Sequence, residues 1–184
     1  MKEFAPQLGE VPAGSQNLLL CILQTMSIEK ATFGAGCFWG VEAVFAVMPG
    51  VTATAVGYEG GSFAKPSYKD VCTDQTGHAE VVELDFDTEK ATFEQLLDAF
   101  FDLHDPTTLN RQGPDWGTQY RSVIFYHSSG QEAQAHAKIA QLTAEGRFKP
   151  KRIVTQVVPA QTFWRAEDYH QRYLEKRGLA SCHV

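Results

Sequence analysis

A chain of 184 residues, 43% of them hydrophobic, is long enough to bury roughly two-thirds of its unfolded surface in one domain without disulfide staples. Its net charge of −6 offers no basic face to nucleic acid, and Cys21, Cys37, Cys72 and Cys182 form neither a CxxC pair nor a Cys/His cluster of zinc type. These features exclude a polyanion binder and a zinc module; they fit a thiol enzyme of a reducing, cytoplasmic compartment, a monomer with no metal and no bound cofactor.

Residues 1–25 read as a loosely ordered extension, because Pro6, Gly9, Pro12 and Gly14 break any period. The apolar run Leu18 to Leu23 is too short to span a membrane, and Lys2 and Glu3 do not make the basic start of a signal peptide. Periodicity begins after Met26, so residues 26–184 are read as a single catalytic domain with a C-terminal tail. Ala31-Thr32-Phe33 is β-prone. Gly36-Cys37-Phe38-Trp39-Gly40 then leads into a helix with Val41, Val44, Phe45 and Met48 on one face, stopped by Pro49-Gly50. A cysteine in a first helical turn lies near unpaired amides and the positive end of the helix dipole, which favour the reactive thiolate. Cys37 is therefore either a nucleophile, with Phe38 and Trp39 walling an apolar pocket, or a small buried side chain in a glycine-rich turn.

Val51 to Val56 predicts a strand that runs into a turn at Gly57-Tyr58-Glu59-Gly60-Gly61, and a loop with Pro66, Ser67 and Tyr68 follows. Residues 78–87 predict a strand with Glu80, Val82, Leu84 and Phe86 on one face and Glu83 and Asp85 on the other. Glu80 thus either sits among apolar side chains, where burial raises its pKa toward that of a proton donor, or curls into water at the strand end. Thr92-Phe93-Glu94-Gln95 has the form of a capping box, and Phe93, Leu96, Leu97, Phe100 and Phe101 lay an apolar stripe to about His104. Residues 105–119 lack any period, and so long a loop in a compact domain is usually functional; Asp115, Trp116 and Tyr120 stand at its exit. The remaining expectations are a strand over 120–126, a capping box at Ser129 to Glu132 opening a helix to Gly146, a strand over 153–158 and a helix over 166–177. This order predicts an α+β fold, a two-layer plait with a mixed sheet and packed helices.

Cys182, two residues from the C-terminus, is either a surface thiol or one placed to swing onto an oxidised Cys37. Gly36-Cys37-Phe38-Trp39-Gly40, Thr76-Gly77-His78-Ala79-Glu80, His104-Asp105-Pro106 and Gly117-Thr118-Gln119-Tyr120-Arg121-Ser122, in this order, resemble the peptide methionine sulfoxide reductase A family. The resemblance implies reduction of methionine S-sulfoxide, free or in proteins. It implies Cys37 as nucleophile, Glu80 as proton donor, Tyr68 and Tyr120 as phenols on the sulfoxide oxygen, and Asp115 as holder of a water. It further implies Phe38 and Trp39 as cradle for the S-methyl group, Cys182 as resolving thiol and thioredoxin as reductant. Cys72 has no family role and reads as a structural thiol. Two rival readings remain at this stage: a Cys-His hydrolase with His78 or His104 as base, and a silent module that binds methionine-like side chains.

Overall fold

The computed structural model describes residues 27–179. The extension, Cys21 and Cys182 lie outside the described residues. In chain order the elements are β1 (Ile28–Ala35), α1 (Phe38–Phe45), β2 (Val51–Glu59), α2 (Tyr68–Val71), β3 (Ala79–Asp87), α3 (Phe93–Leu103), β4 (Arg111–Gln112), β5 (Asp115–Trp116), β6 (Ser122–Tyr126), α4 (Ser129–Glu145), β7 (Gln156–Pro159), β8 (Trp164–Arg165) and α5 (Tyr173–Lys176). A 3₁₀ turn, Thr118–Tyr120, precedes β6.

Six strands form one sheet in the order β7-β6-β1-β3-β2-β8, while β4 and β5 make a separate hairpin. β1 pairs antiparallel with β3 on one edge and with β6 on the other, and among the described residues only the β6–β7 pair is parallel. The sheet is therefore mixed, with helices packed on it, as the sequence predicts. Period-two alternation along β1 sends Phe33 into the helical layer, where its ring lies 5.2 Å from Phe45 of α1 and 5.2 Å from Phe100 of α3. α4 adds Ala135 and Leu142 to the same core. The opposite face buries Ala79, Val81, Val123 and Phe125 beneath Val158, Ala160 and Phe163. Among the described residues no helix is long and apolar enough to cross a membrane.

Local signals hold where the partners are near in sequence. Thr92 and Gln95 form the expected capping box, and Gly146 ends α4 in the left-handed conformation at φ 70°. Elsewhere the structure corrects the reading. The buried face of α1 is Phe38, Val41, Glu42 and Phe45, whereas Val44 is 40% exposed. The helix starts at Phe38, and the i+3, i+4 and i+7 positions counted from there set its face. β2 continues through Gly57 to Glu59 instead of turning, because a Cβ at Gly57 would lie 2.5 Å from the Phe163 ring and the Trp164 carbonyl; the missing side chain admits β8. The cap of α4 is Ser128, whose Oγ accepts from the Gln131 amide, one residue before the expected Ser129. Tyr120 belongs to the 3₁₀ turn, and the strand expected over 153–158 begins at Gln156. The helix expected over 166–177 shrinks to α5, since Arg172 at φ 51° breaks it.

Candidate active site

Cys37 is the residue at which β1 gives way to α1, and it is half-buried. Gly36 before it stands at φ +97°, and a Cβ there would lie 2.7 Å from Cβ of Gln112. The turn therefore needs glycine both for its backbone and for the β4/β5 hairpin that rests on it. The amide of Phe38, the first of α1, donates to Oε2 of Glu80 at 3.2 Å. Glu80 is 2% exposed on the core-facing side of β3, so of its two sequence readings the structure selects the buried one. A buried carboxyl is thereby fixed beside the residue that follows the thiol.

Two phenols complete the surroundings. Tyr68 opens α2, which Ser67 and Asp70 cap reciprocally, and Tyr120 ends the 3₁₀ turn. Burial pushes the Tyr68 phenol well above the usual range, and a side-chain hydrogen bond with Cys72, with the charges of Cys72 and Glu80, pushes the same way. Burial likewise raises Tyr120, followed by the charges of Glu80, Asp115, Cys72 and Cys37. Both phenols keep their protons at neutral pH and can donate hydrogen bonds. Tyr120 thus has Cys37, Glu80, Tyr68 and Asp115 within electrostatic reach. Cys72 is exposed at the C-terminal end of α2, against Tyr68.

Phe38 is buried, and Trp39 is held on two sides. Its indole N–H donates to Nδ1 of His170 at 3.0 Å, and its ring stacks on Tyr173 at 3.8 Å and 7°. Glu167 accepts from the Tyr58 hydroxyl at 3.1 Å and from the Tyr68 amide at 3.0 Å. Glu167 and His170 escape sequence reasoning. Their three-residue spacing with Tyr173 was the available signal, but it lies in the stretch read as a plain helix.

The histidines of the hydrolase reading are committed elsewhere. His104 uses Nδ1 on the Phe100 carbonyl and Nε2 on Ser122 Oγ, and burial lowers its pKa to about 4. His78 accepts from the Gly61 amide at Nδ1 and donates to the Phe63 carbonyl from Nε2. Neither ring has a nitrogen left to serve Cys37 as base. Among the described residues no group of three or more His, Cys, Asp or Glu could hold a metal ion.

The model of the family described as peptide methionine sulfoxide reductase matches residues 29–184. The chain belongs to the peptide methionine sulfoxide reductase A family. It is 72% identical over 157 residues to the enzyme of Acidobacterium capsulatum, a match covering 85% of this chain and 100% of that one. It is 58% identical over 159 residues to the enzyme of Geobacter sulfurreducens, covering 86% and 98%. Among solved structures, methionine sulfoxide reductase A of Corynebacterium diphtheriae superposes with a TM-score of 0.74 at 38% identity, covering 85% of this chain and 78% of that one. The reduced form of Mxr1 from Saccharomyces cerevisiae does so with 0.76 at 36%, covering 82% and 86%. This reductase is therefore an oxidoreductase acting on methionine sulfoxide, as its motifs imply, and the silent-module reading falls with that of the hydrolase.

Proposed function

We propose that the reductase removes oxygen from methionine S-sulfoxide, free or in proteins, through Cys37. The observation that carries this reading is the Phe38 amide bond to Glu80, which brings a buried carboxyl to the start of the helix that Cys37 opens. The Cys37 sulfur attacks the sulfoxide sulfur. Glu80 gives its proton to the sulfoxide oxygen as that oxygen becomes a leaving hydroxyl, while the Tyr68 and Tyr120 hydroxyls donate hydrogen bonds to it. Asp115 holds a water in the site, and Phe38 and Trp39 cradle the S-methyl group. The attack leaves the Cys37 sulfur bonded to a sulfonium. The departing hydroxide then adds to the Cys37 sulfur, and the sulfur–sulfur bond breaks with its electron pair going to the methionine sulfur. Methionine leaves as the thioether, and Cys37 is left as a sulfenic acid. Cys182 condenses with that acid, releasing water and forming a Cys37–Cys182 disulfide, and thioredoxin reduces the disulfide by thiol exchange. A solved structure of yeast Mxr1 is a complex with Trx2, which supports a reductant of this kind. Residues 26–184 act as one catalytic domain and the protein as a monomer. The test is turnover of the separated sulfoxide epimers with dithiothreitol and with thioredoxin. The S epimer should be reduced in both; reduction of the R epimer alone would overturn the assignment.

A further inference from the structure

The two segments that carry the phenols are joined by Asp74 and Thr118, residues 44 positions apart. Oδ1 of Asp74 accepts from the Thr118 amide at 2.7 Å and from the Thr118 hydroxyl. On one side Asp74 continues from α2: the Cys72 amide donates to the Tyr68 carbonyl at 3.0 Å, and the Asp74 amide to the Val71 carbonyl at 3.0 Å. On the other side Thr118 opens the 3₁₀ turn that Tyr120 closes. The first amide of such a turn has no partner within the turn, and Gly117 before it has no side chain to offer one; Asp74 supplies the cap from another segment. The Thr118 carbonyl accepts in turn from Nη1 of Arg121 at 2.9 Å, and Nη2 of that buried guanidinium lies 2.8 Å from where a Cβ of Gly60 would stand. Every polar group of Thr118 is thus bonded. Asp74 itself is exposed at φ 60°, a left-handed conformation that glycine adopts at least cost, so what aspartate adds there is the acceptor.

We propose that Asp74 is a positioning residue: by capping the 3₁₀ turn from the end of α2 it fixes the Tyr120 hydroxyl relative to that of Tyr68, so that both donors meet the sulfoxide oxygen together. The role rests on the reading of Tyr120 as a donor to that oxygen. A hydrogen-bond donor aimed in advance at developing charge assists the reaction only while its placement holds, and a small displacement forfeits the gain. Tyr68 is set by the reciprocal caps of Ser67 and Asp70, within its own segment. The turn under Tyr120 has only three residues, and its anchors are Asp74 on one side and Arg121 on the other.

Two substitutions separate the acceptor from the backbone. Asp74→Gly keeps the left-handed conformation and removes the acceptor, while Asp74→Asn tolerates that conformation and keeps an acceptor. Asp74→Gly should lower the saturating single-turnover rate about three- to tenfold, up to the worth of one neutral hydrogen bond, with KM for methionine sulfoxide changed by no more than about twofold. Asp74→Asn should restore the rate to within about twofold of wild type. In a Tyr120→Phe background Asp74→Gly should change the rate by no more than about twofold, because the donor that it positions is gone. The wild-type Thr118 amide should exchange slowly with solvent deuterium, a readout that needs no variant to fold. The proposal is overturned by a wild-type rate in Asp74→Gly, by an equal loss in Asp74→Asn, by a loss undiminished in the Tyr120→Phe background, or by exchange at Thr118 as fast as that of an open amide. Tyr120→Phe alone tests the underlying reading. A slowed Tyr120→Phe beside an unaffected Asp74→Gly overturns the positioning role alone, whereas a wild-type rate in Tyr120→Phe removes that phenol from the oxygen and with it the link from Asp74 to the chemistry.

Discussion

The Phe38 amide and the Glu80 carboxyl meet at 3.2 Å across 42 positions of sequence, joining the first turn of α1 to the middle of the sheet. The bond makes the proposed proton donor and the start of the helix behind the proposed nucleophile parts of one rigid unit. Glu80→Gln keeps an acceptor for the Phe38 amide but has no acidic proton. It should slow the sulfoxide-reducing step by roughly 10²–10⁴-fold with the fold intact. Rapid-quench measurement of methionine release checks this; an unchanged single-turnover rate across neutral pH removes Glu80 from the chemistry.

Tyr68 and Tyr120 act on the same oxygen in this mechanism, so each should be worth about one hydrogen bond. Tyr68→Phe and Tyr120→Phe should each cost about tenfold in kcat/KM, and the double variant more than either. Because both phenols are held above their ordinary range, wild-type activity should show no fall due to phenol ionisation below about pH 10. A phenol titrating nearer neutrality, seen in ultraviolet absorbance difference spectra, would contradict this.

In the proposed cycle the thiols have separate tasks. Cys182→Ser should release about one equivalent of methionine in a single turnover and then stall with thioredoxin, which attacks disulfides. Cys72→Ser should cycle normally. The reverse pattern, with Cys72→Ser stalled and Cys182→Ser cycling, would assign resolution to the exposed thiol beside Tyr68.

On the far face of the sheet Glu59 is fully buried, with Oε1 accepting from the Gln161 amide at 2.7 Å and Oε2 lacking a partner among the described residues. Burial raises its pKa to about 7, with Glu83 adding to the rise and the Gln161 bond opposing it. A carboxyl raised in the folded state binds more protons there than in the unfolded chain. Its contribution is complete below the unfolded value and is lost as pH rises through about 7. Glu59→Gln should abolish that loss, so its stability relative to wild type should grow by roughly 3 kcal/mol or less between pH 4.5 and pH 8, measured by urea unfolding. A pH-independent difference would place the titration elsewhere.

The junction at Cys37, the facing of Glu80 and the Thr92 capping box were legible because each depends on residues a few positions apart. Gly57 could not be read as a strand residue from its neighbours, since the group that needs its missing Cβ is Phe163, far along the chain. The loop over 105–119 hid a hairpin whose two-residue strands carry no period. Glu167 and His170 were missed because their partners, Tyr58, Tyr68 and Trp39, come from three other segments. The order of site residues along the chain was legible; the network that orients them is a product of tertiary packing.

A nucleophilic Cys37 is tested most directly by mixing the reduced protein with excess methionine S-sulfoxide in the absence of reductant, then measuring methionine and the mass of tryptic peptides. The expected result is about one equivalent of methionine and a peptide pair bridged between Cys37 and Cys182, with neither product from Cys37→Ser. Methionine released in stoichiometric amount by Cys37→Ser would contradict the assignment of Cys37 as the atom that takes the oxygen.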